Sequence, residues 1–309
     1  MDRVQNSGPG DPVETARHLI HVGFPKAGST FLQRWFAGHP DVRYAEGGLA
    51  GFQDVYEVIR HAASGTPARP WRVTSAEGFT APRKWSGGRP KDVVVDYEGD
   101  VTERQRRACH ALAALFPGAT ILIVTRGFRS MILSSWSQYV RTGGMEGPES
   151  LSREMPWDYD AVIGLYRSAF GADRVIVLPY ELLRDDQSRF LRSLEARLGI
   201  GPFDGPMGRV NPSLSEAELA WYPRIGRLLQ ALPLPRRLRD RIFRSYVRQI
   251  FHGRLAWVAR GLDRWHGPSP GLAAWVDPGL LERCRGRADC LRTLPEYGPY
   301  AADYLHPEP

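Results

Sequence analysis

The stretch His18-Leu19-Ile20-His21-Val22-Gly23-Phe24-Pro25-Lys26-Ala27-Gly28-Ser29-Thr30-Phe31-Leu32 decides the fold. Residues 18–22 form an apolar run of strand length, and residues 31–36 read as the start of a helix. A loop bounded by Gly23 and Gly28 lies between them. Strand, Gly-bounded loop and helix together make a grip for phosphate, because N–H groups at the helix start point outward and the helix dipole favours an anion.

The two glycines keep the spacing of the nucleoside-triphosphate P-loop, G-x-x-x-x-G-K-[ST]. The lysine is displaced: Ser29 follows the second glycine, and the lysine stands inside the loop at Lys26. From there it reaches a phosphate from a different side. Of 41 basic residues only Lys26, Lys84 and Lys91 are lysines, so a rare residue type occupies this loop. A compact ammonium suits a single oxygen where a planar guanidinium does not.

Working outward, residues 42–45 and 71–74 read as strands, 52–63 as a helix, 80–92 as a loop and 93–95 as a strand. Thr102 is expected to cap a helix over 102–116, stopped by Pro117-Gly118. Residues 120–125 are a continuous apolar strand of the kind parallel sheets require. A helix over 130–140, a Gly-rich insertion over 141–156, a helix over 159–170, a strand over 174–178 and a helix over 187–198 follow. This alternation predicts an α/β fold: a P-loop-like three-layer sandwich with a central parallel sheet and helices on both faces. Beyond residue 206, segments 215–231, 236–250 and 278–293 read as helices, a helical C-terminal extension. The expected organisation is a flexible N-terminus over 1–17 and a single domain over 18–309, with its core at 18–205 and the extension at 206–309.

At 309 residues, 42% hydrophobic and 24% charged, the chain has ordinary globular composition. Its net charge of +7 favours anionic ligands. No apolar signal segment occurs in residues 1–12, and no window approaches the ~18 residues of a membrane span. Cys109, Cys284 and Cys290 are too few for a disulfide framework and lack zinc spacing, so a cytoplasmic protein without metal is expected. Segment 235–254 interleaves Arg with Leu, Ile, Phe and Tyr at helical spacing and reads as an amphipathic helix with a solvated Arg face, or as part of a lid over the acceptor or donor. No nucleic-acid-binding module is present, so no nucleic-acid partner is expected. The oligomeric state is open.

A second anchor follows the strand over 120–125. Arg126 stands at its carboxyl end, the rim where ligands sit in open α/β sheets. Ser134 lies eight residues on, in the next helix. Guanidinium plus hydroxyl makes a clamp for a second phosphate.

With both anchors the chain resembles the PAPS-dependent sulfotransferases, whose donor is 3′-phosphoadenosine 5′-phosphosulfate. Pro25-Lys26-Ala27-Gly28-Ser29-Thr30 resembles their 5′-phosphosulfate loop, and Arg126 with Ser134 their 3′-phosphate pair. Tyr180-Glu181-Leu182-Leu183 and the helix through 190–200 resemble further landmarks. The likeness covers about residues 18–215. It is closer to the heparan, tyrosylprotein and bacterial branches than to the cytosolic phenol and steroid branch, whose histidine motif and Gly-rich C-terminal loop find no match.

The resemblance implies that the loop through Phe31, together with Arg126 and Ser134, binds PAPS. Lys26 would contact the bridging oxygen and the leaving phosphate, Gly28, Ser29 and Thr30 would cradle the 5′-phosphate, and no metal would be needed. The acceptor would be a hydroxyl of a small molecule or carbohydrate, whose oxygen attacks the sulfur in line with the departing phosphate oxygen. For the general base, Glu46 leads, since it follows His39-Pro40-Asp41-Val42 as in the heparan and tyrosylprotein branches. Those branches place the glutamate one or two positions later, where this chain has Gly47 and Gly48. Glu77, at the end of the strand over 71–74, and His39 are the alternatives, and Asp96 is a further carboxylate. A P-loop kinase or other nucleotide-dependent transferase is the competing function, disfavoured by Ser29 where the P-loop lysine belongs. A non-catalytic 3′-phosphonucleotide-binding protein is the third.

Overall fold

Five parallel strands form one sheet in the order β2–β3–β1–β4–β5. The computed structural model describes residues 17–44, 70–75, 77–80, 100–150, 156–205 and 213–306. The strands are β1 Arg17–His21, β2 Val42–Tyr44, β3 Trp71–Ser75, β4 Thr120–Thr125 and β5 Val175–Pro179. Five of the six β4 residues and all of β5 are buried, because helices cover both faces of a parallel sheet.

Helix α1, Ser29–Gly38, follows β1, and the chain then moves outward to β2 and returns through β3. Helices α2 (Val101–Leu115), α3 (Phe128–Arg141) and α4 (Tyr159–Phe170) accompany the move the other way, to β4 and β5. Right-handed crossovers in opposite directions put these helices on opposite faces. After β5 come α5, Tyr180–Asp185, and α6, Gln187–Leu198. Helix α6 is tied to the α1 side: the Trp71 indole donates to Leu198 O at 3.0 Å, and that of Trp35 to Phe203 O at 3.2 Å. The sheet order reverses at β1, so the loops after β1 and β4 emerge side by side at one crevice, the usual ligand position of such sheets.

The helices of the extension are α7 Glu216–Ala231, α8 Arg236–Phe251, α9 Ala256–His266, α10 Pro278–Arg285 and α11 Ala301–Tyr304. They serve two cores. Leu280, Leu281, Leu291, Tyr297 and Tyr304 pack into the main core with Leu122, Val124 and Leu178. Leu219, Tyr222, Tyr246 and Ile250 form a second cluster with Trp136 and Val140 of α3.

Several expected boundaries change. Helix α2 begins at Val101, and its cap is Asp100, not Thr102: the Asp100 carboxylate accepts from Glu103 N at 2.8 Å. Helix α3 starts at Phe128, directly after Gly127. The segment 278–293 is not one helix, since α10 stops at Arg285 before Gly286 and a separate 3-10 turn follows at Asp289–Leu291. Helix α9 was not expected from the sequence; it turns Val258, Ala259 and Leu262 inward and leaves Trp257, Arg260, Arg264 and Trp265 exposed. The helix over 52–63, the loop over 81–92, the strand over 93–95, Glu46 and Asp96 lie outside the described residues.

Candidate active site

The loop after β1 turns through two left-handed residues. Gly28, the N-cap of α1, has φ 87°, and a Cβ there would stand 2.6 Å from Leu183 Cδ2, so glycine is required both by conformation and by space. Lys26 has φ 70°, the one non-glycine residue with positive φ among those described. Such a conformation costs about 1–3 kcal/mol and persists where surrounding contacts hold it. Those contacts are visible: Arg126 Nη1 donates to Lys26 O at 2.7 Å, and Lys26 Nζ donates to Gln138 Oε1 at 3.0 Å.

The head of α1 has no side-chain cap and no acidic residue in its first turn. The heads of α2, α4 and α6 are each capped by an aspartate. A helix start left open in this way keeps N–H donors for an outside acceptor. Ser29 Oγ sharpens the point: it is buried and has no hydrogen-bond partner. A buried hydroxyl without a partner is costly, and an oxyanion at the helix head would satisfy it. Thr30 beside it is half-buried. Phe31 packs into the main core, and its N–H bonds to Gly28 O at 3.0 Å, so it holds the helix in place.

Arg126 lies at the end of β4. Its Nε donates to Ser130 Oγ at 2.9 Å, and its guanidinium stacks over the Tyr180 ring at 4.5 Å. Among the described residues Nη2 has no hydrogen-bond partner. Burial lowers the Arg126 pKa, while Tyr180 and Glu181 pull it back up. A half-desolvated cation of this kind gains from an arriving anion. Ser130, Ser134 and Gln138 recur every four residues on α3, so they share one face. Ser130 binds Arg126 and Gln138 binds Lys26. Ser134, buried between them, is thereby brought to the same crevice as the loop after β1.

Behind Arg126 a polar network fixes the strand end. Glu181 accepts from Gly127 N at 3.0 Å and from Ser130 Oγ at 3.4 Å, and Tyr304 donates to its other oxygen. Tyr159 OH donates to Arg126 O at 2.5 Å, and Tyr297 OH pairs with Thr125 Oγ1 at 2.7 Å. Burial raises the pKa values of Tyr159, Tyr297 and Tyr304, so these hydroxyls stay protonated. Gly127 allows the C-terminal segment to close on the strand end, since a Cβ there would meet Asp303 Cβ at 2.6 Å.

On the other side of the loop, Gln33 Nε2 donates to Ser75 Oγ at 3.3 Å, and Ser75 Oγ lies 2.8 Å from His21 Nδ1. The serine accepts from the amide and shares a hydrogen bond with Nδ1, which fixes the His21 ring. That Nε2 is buried without a partner, and burial lowers the His21 pKa to about 3.

The structure does not bring His39 to this crevice. It caps the far end of α1, which at ten residues is about 15 Å long. Its Nε2 lies 3.2 Å from Gly201 O, and its Nδ1 accepts from Asp41 N at 3.1 Å, so both ring nitrogens serve the turn. Glu77 begins the 3-10 turn Glu77–Phe79 just after β3, at the carboxyl edge of the sheet. Gln138, Ser130, Tyr159, Tyr297 and Tyr304 were not legible as site residues. Helical spacing from Arg126 and Ser134 could have found the first two; no local signal marks the tyrosines. Among the described residues no cluster of His, Cys, Asp and Glu could hold a metal ion.

An open helix head, a strained lysine and a half-buried cation lie at the switch point of a parallel sheet, and with the fold they define a class: an α/β protein with a Gly-bounded loop after its first strand. A family model described as the sulfotransferase family matches residues 19–204, and the chain belongs to that family. Its chemistry is sulfuryl transfer. No curated protein matches the sequence. The similar solved structures include two sulfotransferases. A sulfotransferase from Alicyclobacillus acidocaldarius aligns with 68% of this chain and 92% of its own, at 17% identity and a TM-score of 0.45. Mouse sulfotransferase SULT7A1, complexed with PAP, aligns with 95% of this chain and 89% of its own, at 12% identity and a TM-score of 0.44.

Proposed function

We propose that the sulfuryl donor is PAPS and that the acceptor is a hydroxyl of a small molecule or carbohydrate. The observation that carries this reading is the buried, unpartnered Ser29 Oγ at the uncapped head of α1, next to the loop that Arg126 ties through Lys26 O. PAPS, when bound, supplies the sulfuryl group and leaves as 3′-phosphoadenosine 5′-phosphate.

The residues divide the work. Pro25, Ala27 and Gly28 shape the loop, a P-loop variant, and Ser29 and Thr30 hold the 5′-phosphate. Arg126 and Ser134 hold the 3′-phosphate. Lys26, released from Gln138, neutralises charge on the leaving oxygen. Positioning and charge stabilisation carry most of such a reaction. The acceptor's proton passes to a carboxylate. Glu77 is supported by its position at the sheet edge beside β1, and Glu46 remains a candidate on sequence alone. A cytoplasmic setting is supported by the three free thiols, all held protonated by burial, with Cys109 and Cys290 pushed up to about 12 and Cys284 to about 11.

Calorimetry and a transfer assay test the reading. Tight binding of 3′-phosphoadenosine 5′-phosphate without Mg²⁺, indifference to ATP, and transfer of labelled sulfate from PAPS to an alcohol or sugar panel are expected. Tight Mg·ATP binding without any response to the 3′-phosphate would sink it. Nucleotide binding with no transfer to any acceptor would point to a non-catalytic binder.

A further inference from the structure

Residues 221–266 hold eleven arginines and two aspartates, an excess of nine positive charges against +7 for the whole chain. The rest of the molecule is therefore slightly acidic, and its basic character is concentrated in helices α7 to α9. Helix α8 turns Tyr246 and Ile250 inward and leaves Arg237, Arg241, Arg244 and Arg248 exposed along one stripe.

The next helix adds a feature that a purely electrostatic surface does not need. Trp257 is 70% exposed and Trp265 84%, with Arg260 and Arg264 exposed on the same side of α9. Phe251, at the end of α8, is 61% exposed. Both helices pack on α7: Tyr246 OH donates to Tyr222 O at 2.7 Å, and the His266 ring lies 4.8 Å from that of Trp221. Arg224 stacks over Trp221 at 5.0 Å, and Trp265 lies 5.5 Å from His266. The exposed arginines of α8 and the exposed indoles and arginines of α9 are thus carried on two helices that both pack on α7, and together they make up the basic, indole-bearing ribbon of the extension.

We infer that this ribbon docks the enzyme on an anionic lipid bilayer. Arginines attract the negative headgroups, and indoles favour the headgroup boundary, where the ring is buried and the N–H stays wet. A duplex nucleic acid presents phosphates to the arginines while its bases stay stacked on one another, and so gives no account of the exposed indoles. Among the described residues no helix is long and apolar enough to cross a membrane, so the contact lies at the surface.

The test uses the full chain with vesicles of phosphatidylcholine alone and of phosphatidylcholine mixed with phosphatidylglycerol. Binding to the mixed vesicles only, a blue shift of tryptophan emission on binding, and weakening by salt are expected. W257A/W265A should bind about tenfold more weakly or worse and lose most of the blue shift, given the area of two indoles. R241Q/R244Q/R248Q should lose about fivefold per arginine. All five positions are exposed, and thermal melts check that both variants fold. Absence of binding to anionic vesicles at low salt would overturn the inference. So would binding to duplex DNA or heparin that is tighter than to vesicles and unchanged by W257A/W265A.

Discussion

On the proposed PAPS reading, Arg126→Ala separates the two halves of the nucleotide site. The wild-type guanidinium ties Lys26 O and Ser130 Oγ at 2.7 and 2.9 Å and leaves Nη2 for a ligand. Its removal has two consequences. The charge-assisted contact to the 3′-phosphate is lost, worth about 1.5–3 kcal/mol and more where partly desolvated. The strained Lys26 loop also loses one tie, which weakens any 5′-phosphate equally, by about 1 kcal/mol. The affinity for 3′-phosphoadenosine 5′-phosphate should fall by about 2.5–4 kcal/mol in total, or roughly 70- to 1,000-fold. The affinity for 5′-AMP, which lacks the 3′-phosphate, should fall by only about 1 kcal/mol. Isothermal titration with both nucleotides measures the difference directly, and a thermal melt checks the fold. Equal losses for both nucleotides would mean that Arg126 only braces the loop. Unchanged affinity for the 3′-phosphonucleotide would remove it from the site.

Lys26→Ala should abolish labelled-sulfate transfer and leave the melting temperature near wild type, because the backbone keeps the same left-handed residue class; near-normal turnover would refute its role. Glu77→Gln and Glu46→Gln discriminate the base: the true one should lose about 100-fold or more in kcat with KM for PAPS unchanged, read by steady-state assay. Glu181→Gln leaves Tyr304 facing a changed partner and removes a buried charge that accepts three hydrogen bonds, so urea unfolding should show a loss of about 2–4 kcal/mol. His21 titrates near 6.5 when unfolded and about 3 when folded. Between these values the unfolded chain binds the extra proton, so stability is full above pH 6.5 and falls as the pH drops. The fall should reach about 2 kcal/mol at pH 5 and be absent in His21→Asn, measured by urea titration at pH 7 and pH 5.

The chain order of β1, the loop and α1 was legible because each element is decided locally. An apolar run, two glycines and an amphipathic start leave few alternatives for residues 18–36. The same holds for β4, whose bounds match the prediction, and for the helix 187–198, which ends at Gly199 in the left-handed region. Capping was less legible: Thr102 and Asp100 both fit an N-cap, and only the carboxylate's contact with Glu103 N decides between them. Helix α9 was missed because its inward residues, Val258, Ala259 and Leu262, are small or only half-buried and alternate with large exposed tryptophans that read as apolar too.

The sequence by itself determined the parallel α/β core, the displaced lysine and the Arg126–Ser134 spacing, because short-range pattern and turn chemistry specify these. Tertiary structure alone decided that Lys26 is strained and held by Gln138, that Ser29 Oγ is buried without a partner, and that His39 serves a distant turn. It also decided that Tyr297 and Tyr304, more than a hundred residues beyond Glu181, brace the strand end beneath Arg126. Such contacts depend on how the chain returns to the sheet, and a hydroxyl that bonds a residue so far away leaves no periodic trace in its own neighbourhood.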